Sequence, residues 1–466
     1  MFTQLSIRNF KAWRDTKDIR LAPITVFFGS NSAGKTSLLQ FLLMLRQTAE
    51  SRDRRRVLNP GDESTDVDLG TYRDLVFNHD VNGHVDFSLS WQLPKPLVVT
   101  DVLNGKEYRG SQMSFQADIS SDEEAKRQTV ELLRYTLSEP PEDILSVQMK
   151  KKGQRKQKQE YAVGADPDIL VRTQGRAWAP TEPVKFYGFP DEVLAYHRNA
   201  GFTSDLVLSF EHQLQRIKYL GPLRQRPRRL YTWSGEAPES VGFDGRYTLA
   251  ALLAASGRQL NRGFHMRNQS FLEVVVRWLH DIGLLDGFEP KATSKLGKQY
   301  EIVVKATSSG VRTNLPDVGF GISQVLPVVV QSFYAEPGST VVIEQPELHL
   351  HPRVQAFLVD LFIEAIRARQ NGENRNVQFL IESHSEHFVY RLQRRIAEGT
   401  VKPEDVALYF CRPGPEGSII EPLRLDEDGD ILNWPENFFG DEMEDVRARL
   451  SAAADRRAKL DGGGPR

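Results

Sequence analysis

Residues 29–36 have the types and order of a phosphate-binding loop. The stretch GSNSAGKT follows a strand-like run, ITVFFG, and precedes an apolar helical run, SLLQFLLMLRQTA. The two glycines let the backbone turn tightly, so its N–H groups can face phosphate oxygens, and the following helix adds its positive N-terminal end. In this pattern Lys35 reaches the β and γ phosphates and Thr36 binds magnesium. The candidate phosphate contacts are Gly29, Ser30, Asn31, Ser32, Ala33, Gly34, Lys35, Thr36 and Ser37.

A second candidate is the stretch TVVIEQPELHLHP, residues 340–352. Its β-branched and aliphatic run predicts a buried strand that ends at Glu344, followed by Gln345, Pro346 and Glu347. A strand that delivers acidic residues to its tip is the usual way to hold the magnesium of a nucleotide. Glu344 is therefore the predicted metal-orienting acid.

Composition restricts the class of protein. At 466 residues the chain exceeds the usual size of one core, so two or three structural units are expected. Lys and Arg total 60 against 62 Asp and Glu, so no overall charge favours nucleic acid or membrane. The single cysteine, Cys411, excludes an intrachain disulfide framework. With neither a membrane-length apolar run nor a signal-peptide pattern, we expect a soluble, cytoplasmic protein.

The hydrophobic pattern predicts the elements that must position these residues. Short strand-like pieces fill 84–190, with one helix-like run at 121–138, and residues 247–285 are predicted to be helical. From residue 301 onward, strands and helices alternate: strands at 301–306, 340–344, 377–383 and 406–410, and helices to about 335, at 353–369 and at 385–398. Such alternation indicates a mostly parallel sheet covered by helices.

With these motifs the chain resembles the ATP-binding-cassette (ABC) ATPases of the SMC, RecF and OLD type, whose nucleotide site is split between the two ends of the sequence. The stretch SHS, 383–385, places His384 where the family's switch histidine contacts the γ phosphate. The stretch DVGFGISQ, 317–324, occupies the place of the family signature, where a helix N-terminus of one subunit caps ATP held by another. Gly319 stands where the family carries a serine, and the N–H groups of Gly319 to Gly321 are expected to substitute for it.

The resemblance implies an α/β fold: an ABC ATPase head with a mostly parallel sheet, an antiparallel N-terminal lobe and an inserted α+β region. The expected units are an N-terminal ATPase lobe at 1–83, the insertion at 84–300, a C-terminal ATPase lobe at 301–411 and an extension at 412–466. It implies ATP and Mg²⁺ as cofactors. It also implies a homodimer or higher homo-oligomer that shares ATP sites, with the loop LHLHP crossing the interface. No Q-loop glutamine is identified in DLGTYRDLVF, 68–77.

One departure from the family concerns catalysis. The position after the metal-orienting acid, usually a glutamate that polarises the attacking water, holds Gln345, which cannot take a proton. Glu347 is the nearby carboxylate that the sequence offers as a substitute, with an interface or turn contact as the alternative role. The predicted catalytic residues are Glu344, Gln345, Glu347 and His384, and slow turnover is expected.

More narrowly, GFGISQVLP, IEQPELHLHP, SHSEH and DGDILNWPENFF resemble an OLD-like subfamily that occurs beside effector genes in prokaryotic defence loci. This implies an ATP-dependent switch or scaffold that controls a separate effector, a nuclease or toxin, in anti-phage defence. The alternative function is a RecF-like DNA-binding ATPase of DNA repair.

Three further patterns have both a functional and a plain interpretation. His349, His351, His384 and His387 suggest zinc, but no cysteine joins them and the ATPase interpretation accounts for three of the four. The stretch DEDGD, 426–430, is similar to part of a Toprim nuclease, although a solvated turn is the better interpretation. Basic clusters lie at 52–56, 150–158 and 224–229; each is suited to contact nucleic-acid phosphates, yet none has interleaved aromatic residues for base stacking, and solvated loops are the plain alternative.

Overall fold

The structure is a computed structural model. It describes residues 1–102, 104–122, 127–155, 158–173, 179–263, 266–293, 298–306, 310–435, 438, 447–454 and 456. The strands are β1 (Phe2–Phe10), β2 (Trp13–Asp15), β3 (Ile19–Arg20), β4 (Ile24–Gly29), β5 (Val85–Thr100), β6 (Glu107–Asp122), β7 (Arg127–Glu139), β8 (Glu142–Arg155), β9 (Lys158–Asp166), β10 (Ile217–Leu220), β11 (Tyr231–Thr232), β12 (Gln259–Asn261), β13 (Asn268–Ser270), β14 (Leu285–Ala292), β15 (Gln299–Ala306), β16 (Arg312–Asn314), β17 (Thr340–Glu344), β18 (Arg369–Gln370), β19 (Glu373–Asn374), β20 (Gln378–Glu382), β21 (Val406–Arg412) and β22 (Ile419–Leu423). The helices are α1 (Lys35–Glu50), α2 (Tyr72–Leu75), α3 (Asp191–Tyr196), α4 (Phe202–Gln215), α5 (Thr248–Ala254), α6 (Phe271–Asp281), α7 (Phe320–Tyr334), α8 (Pro352–Arg367) and α9 (Glu386–Ala397).

A central sheet carries the candidate residues. Its strand order is β10-β17-β20-β4-β21-β22, parallel throughout except for β22, which runs antiparallel to β21. All residues of β17 and β20 are buried, as expected for parallel strands covered on both faces. The predicted α/β fold with a mostly parallel sheet is confirmed, and its strand tips gather at one edge.

Helices cover both faces of the central sheet. Val342 and Leu380 pack in one apolar cluster with the leucines of α1. Val341 and Ile343, which point to the opposite face, pack in a second cluster with residues of α7, α8 and α9. Because neighbouring residues of a strand face opposite sides, this alternation places α1 and α7 on opposite faces of the sheet.

A second, antiparallel sheet has the order β2-β1-β5-β6-β7-β8-β9, with β3 also paired to β1. The predicted antiparallel character of the N-terminal lobe is therefore confirmed. Strand β5 joins β1 in this sheet, and β10 joins the central sheet, although both strands fall within the predicted insertion at 84–300. The division into four units, with its three boundaries, remains a prediction.

The helix predicted at 121–138 is wrong over residues 127–138, which form β7; residues 123–126 lie outside the described part of the chain. Alternate side chains of β7 are buried: Leu133, Tyr135 and Leu137 have 1% exposure or less. The residues are good helix formers, but pairing with β6 on one side and β8 on the other outweighs that preference.

The continuous helical stretch predicted at 247–285 is also wrong, because α5 and α6 are separated by the hairpin of β12 and β13. A local signal marks the second start. The Ser270 hydroxyl accepts the N–H of Glu273, and the Glu273 carboxylate accepts the N–H of Ser270, which forms a capping box. Within the ranges that the structure describes, no helix combines the length and apolar character needed to cross a membrane.

Candidate nucleotide-binding site

The loop of residues 29–36 joins the buried strand β4 to helix α1, as the sequence predicts. Gly29 has a φ of 140°, and a Cβ atom there would lie 1.9 Å from the carbonyl oxygen of Cys411 on β21. Gly34 has a φ of 85° and caps the start of α1. Glycine is required at both positions because L-residues disfavour these angles, and at Gly29 also because β21 leaves no space.

Lys35 lies inside the curve of this loop and is almost fully buried. Its Nζ donates hydrogen bonds to the carbonyl oxygens of Gly29 at 3.1 Å and Ser30 at 2.8 Å. The same atom is 3.8 Å from Oε1 of Glu382. Burial lowers the pKa of Lys35, although the charge of Glu382 acts in the opposite direction. The ammonium group is thus held at the loop by weak backbone acceptors that a phosphate would replace.

Glu382, the last residue of β20, is a site residue that the sequence analysis missed. The Thr36 hydroxyl donates to its Oε2 at 2.7 Å. Burial raises the pKa of Glu382, while the hydrogen bond from Thr36 and the charge of Lys35 act against that rise. A signal was present in the sequence, since the apolar run VQFLI ends in this acid directly before SHS. The sequence pattern alone did not show that β20 lies next to β4, which is what brings Glu382 to Thr36.

Glu344, the predicted metal-orienting acid, lies at the tip of β17 in register with Glu382. Its Oε1 accepts a hydrogen bond from the Tyr219 hydroxyl at 2.9 Å. Burial raises the pKa of Glu344 to about 7, and the neighbouring charge of Glu382 adds to the effect. Strand β20 separates β17 from β4, so Glu344 is one strand farther from the phosphate loop than Glu382.

Gln345 and Glu347 occupy the turn after Glu344. Gln345 has a φ of 43°, and its backbone N–H donates to the carbonyl oxygen of Glu382 at 2.9 Å. Oε1 of Glu347 accepts the backbone N–H of His384 at 2.6 Å. Burial raises the pKa of the Glu347 carboxyl group, although that hydrogen bond opposes the rise. The turn after β17 is therefore tied to the loop that carries His384.

His384 lies on the same edge of the sheet. Its Nε2 is 4.0 Å from Oε1 of Glu382, and 32% of its side chain is exposed. Burial lowers the pKa of His384, and the nearby charge of Lys35 lowers it further. The structure thus brings Lys35, Thr36, Glu382 and His384 together at one edge of the central sheet.

The stretch predicted to act across a dimer forms the start of α7, with Gly319 as its N-cap. The first N–H groups of a helix have no partner within it, so they suit an anionic ligand. A Cβ atom on Gly319 would meet nothing within 4 Å, whereas one on Gly321 would lie 3.7 Å from Leu350. The helix start therefore abuts the LHLHP loop.

Arg224 connects this helix to the tip of β17. Its side chain is 7% exposed, and it donates to the carbonyl oxygens of Glu344 at 3.1 Å and Gln324 at 3.3 Å. The interpretation of 224–229 as a solvated loop is therefore wrong for Arg224. Arg229 is exposed but pairs with Asp317 at 2.6 Å.

The rest of that cluster borders a cavity of about 340 Å³ whose lining includes aromatic rings. Arg226 and Arg228 share this lining with Tyr231, Trp233 and Tyr247. As the sequence indicates, no aromatic residue is interleaved in this cluster; Tyr231 and Trp233 follow it in the chain, and folding brings Tyr247 to the same cavity. The cavity also touches the middle of α7, through Ser323, Leu326 and Pro327.

The structure gives less support to the remaining alternatives than to the cluster at 224–229. These are a zinc site, a Toprim-like acidic cluster and the two basic clusters before residue 160. The described part of the chain contains no group of three or more His, Cys, Asp or Glu side chains that could hold a metal ion. The four histidines considered for zinc therefore do not form such a group. In the DEDGD stretch, the Asp426 carboxylate accepts the N–H groups of Asp428 and Asp430. The stretch therefore forms a turn. In the cluster at 52–56, Arg54 is 3.9 Å from Asp191. The cluster at 150–158 lies partly outside the described residues.

The donor set at the sheet edge fits magnesium. The Thr36 hydroxyl, at the start of α1, and the carboxylates of Glu344 and Glu382, at neighbouring strand tips, are hard oxygen donors. Mg²⁺ is usually held by one or two carboxylates together with substrate phosphates, and it needs no cage of three protein acids.

Comparisons with known proteins agree with this chemistry. The family model described as AAA ATPase domain matches residues 1–161 and 279–389, more than half of the chain. Residues 401–448 match a family described as a protein of unknown function, DUF3696. No curated protein matches the chain significantly.

Several solved structures are similar to the chain at low identity. One is an SMC head domain from Thermotoga maritima, 10% identical, covering 91% of this chain and 99% of that one with a TM-score of 0.39. A second is an SmcHead bound to the C-winged helix domain of ScpA, 9% identical, covering 91% and 98% with a TM-score of 0.41. A third is an Smc head domain with an extended coiled coil, bound to the C-terminal domain of ScpA derived from Pyrococcus furiosus, 8% identical, covering 91% and 96% with a TM-score of 0.38.

Proposed function

Because this chain belongs to the AAA ATPase domain family, we propose that it binds ATP with magnesium at residues 29–36 and hydrolyses it slowly. The observation that carries the proposal is the meeting of Lys35, Thr36, two strand-tip carboxylates and His384 at one edge of a parallel sheet. A loop alone binds phosphate, whereas a loop beside buried acids and a histidine has the groups for hydrolysis.

Binding uses groups that the loop already presents. Lys35 would exchange its bonds to the Gly29 and Ser30 carbonyl oxygens for phosphate oxygens, and the start of α1 adds favourable N–H groups. Thr36 and Glu344 would hold magnesium, which neutralises charge on the phosphates. His384, half-buried beside Lys35, would contact the γ phosphate and report its presence to α9.

Slow hydrolysis follows from the turn after β17. Gln345 cannot accept a proton, so the usual base is absent from its position. Glu347 is the proposed substitute. Its Oε1 accepts the N–H of His384, so any role for Glu347 in activating water is coupled to the position of that histidine.

We further propose an ABC-type arrangement in which Gly319 and Gly321 of one copy cap ATP bound by another. The motif resemblance to SMC, RecF and OLD ATPases supports this assembly. So does the free space beside Gly319 at the start of α7. ATP would then close a homodimer, and slow hydrolysis would release it.

The proposed biological output is control of a separate effector protein, a nuclease or toxin, in anti-phage defence. It rests on the OLD-like motif resemblance alone. Co-purification of the chain with the product of a neighbouring gene, in an ATP-dependent complex, would support the role. A neighbouring product that never associates with the chain, with or without ATP, would contradict it.

Calorimetric titration with ATP and Mg²⁺ tests the central proposal. The wild-type chain should bind ATP, and Lys35→Ala should lose measurable binding while its circular dichroism stays unchanged. Lys402→Ala, at an exposed position, is the matched control and should bind as the wild type does. Equal affinity of Lys35→Ala and wild type would reject the site.

A second candidate function, nucleic-acid binding of the RecF type, is favoured by the cavity that combines Arg226 and Arg228 with three aromatic rings. Arginines suit phosphates, and aromatic rings suit unstacked bases. Binding of labelled single-stranded and duplex DNA should then fall steeply with salt and require ATP. Arg226→Glu with Arg228→Glu should abolish it, whereas the exposed pair Lys106→Glu with Arg109→Glu should not. Equal binding by both double variants would exclude the cavity.

A further inference from the structure

Three groups of the nucleotide site converge on Glu382. Oε2 accepts the Thr36 hydroxyl at 2.7 Å, and Oε1 is 3.8 Å from Nζ of Lys35 and 4.0 Å from Nε2 of His384. Only 2% of the residue is exposed. An acid so deeply buried costs free energy unless its partners offset the loss of water, which suggests a role in the site.

We propose that Glu382 is a positioning residue for the metal-bound nucleotide and that it acts through the Thr36 hydroxyl. This inference rests on the proposed binding of ATP with magnesium. A hydroxyl group that binds a cation must point its hydrogen away and its lone pairs toward the ion. A carboxylate that accepts this hydrogen sets that orientation, as hydrogen-bonded partners of metal ligands commonly do.

Sheet order explains why this acid, and not Glu344, holds Thr36. Adjacent strands lie about 4.8 Å apart, so the backbone of β20 is about one spacing from β4 and that of β17 about two. Glu344 instead accepts the Tyr219 hydroxyl on the far side of its strand. The two acids therefore have different partners: Glu382 accepts the hydroxyl of Thr36, and Glu344 accepts the hydroxyl of Tyr219 on β10.

A purely structural role would have a different signature. If Glu382 only held the start of α1 in place, its loss would weaken ATP binding equally with and without metal. If it orients Thr36 toward a cation, its loss would weaken only the metal-dependent part. The contrast between these two conditions separates the roles.

The experiment measures ATP affinity calorimetrically in excess Mg²⁺ and in EDTA, together with Mn²⁺ affinity of the ATP-bound protein by electron paramagnetic resonance. Glu382→Gln should weaken Mn²⁺ binding and the Mg²⁺-dependent ATP affinity about 10- to 100-fold. ATP affinity in EDTA should change less than about twofold. Glu382→Asp should restore part of the loss, and Glu336→Gln, at an exposed position, should match the wild type.

A double-mutant cycle with Thr36→Val checks the route. Because Glu382 is proposed to act through Thr36, adding Glu382→Gln to Thr36→Val should produce little further loss. Three results would each overturn the inference. The losses of the two single variants could add fully in the double variant, Glu382→Gln could lose ATP affinity equally with and without metal, or Glu382→Gln could show no loss at all. Absence of ATP binding by the wild-type protein in both conditions would instead reject the proposed function itself.

Discussion

Arg375 closes the C-terminal end of α7, the helix whose start is proposed to act across the dimer. Its side chain is fully buried and donates to the carbonyl oxygens of Ser332 at 3.3 Å, Phe333 at 2.9 Å and Ala335 at 2.6 Å. The remaining terminal carbonyl, that of Tyr334, accepts from Arg258 at 2.8 Å. Two arginines thus satisfy the carbonyl groups that the end of a helix leaves without backbone partners.

Arg375→Met should destabilise this end of α7 by about 2–4 kcal/mol. Each buried carbonyl that loses its donor costs about 1–3 kcal/mol, so three give a gross loss of about 3–9 kcal/mol. Burial of the guanidinium opposes this, as its lowered pKa shows, and removing a buried charge returns several kcal/mol. Arg258→Met breaks one such bond from a half-buried side chain and should cost about 1 kcal/mol.

Hydrogen exchange by mass spectrometry on peptides that cover 320–335 measures this difference locally. Every 1.4 kcal/mol is a factor of ten, so exchange there should quicken about 30- to 700-fold in Arg375→Met. Arg367→Met, which replaces an exposed arginine on α8, should leave it unchanged. If exchange in Arg375→Met is no faster than in Arg258→Met, the three hydrogen bonds of Arg375 stabilise the helix end no more than the single bond of Arg258 does.

Three further outcomes are expected. Gly321→Arg, at the start of α7, should abolish ATP-dependent association in analytical ultracentrifugation without changing ATP affinity; persistent dimers would refute the shared site. Wild-type phosphate release should fall well below ~10 per second, Gln345→Glu should raise it by up to ~10²-fold and Glu347→Gln should lower it; fast wild-type turnover that is indifferent to Glu347→Gln would place the water-activating group elsewhere. Gly29→Ala should lower the free energy of unfolding by at least ~2 kcal/mol, because its Cβ would overlap the Cys411 carbonyl; an unchanged urea midpoint would contradict this.

The sequence predicted best the elements whose local pattern and tertiary setting agree. The strand that leads into residues 29–36, the helix after it and the alternating elements from 340 onward all match the structure. Their strands are buried on both faces, so a short apolar run is sufficient to identify them. The loop of residues 29–36 has its own backbone requirements, which Gly29 and Gly34 reveal directly.

Local pattern failed where pairing decides the structure. Residues 127–138 contain helix-forming leucine, glutamate and arginine, yet they lie between two strands of a long antiparallel sheet. No short-range feature of the sequence encodes those neighbours. The interruption at 255–270 was readable in principle, because Ser270 and Glu273 form a capping box that marks a new helix start.

Glu382 shows the same limit at the level of the site. Apolar runs that end in an acid identify two strand tips, and either acid is a plausible partner of the phosphate loop. Which acid reaches Thr36 depends on the order of strands, and neighbouring parallel strands are joined by long crossover connections, so their order does not follow from their spacing in the sequence. In this fold β20 lies between β17 and β4, so the acid nearest the loop is the one that a search for the usual motif passes over. The residues of such a site must therefore be assigned from sheet order. Here the strand β17 supplies one carboxylate, Glu344, and the strand beside the loop, β20, supplies the other, Glu382.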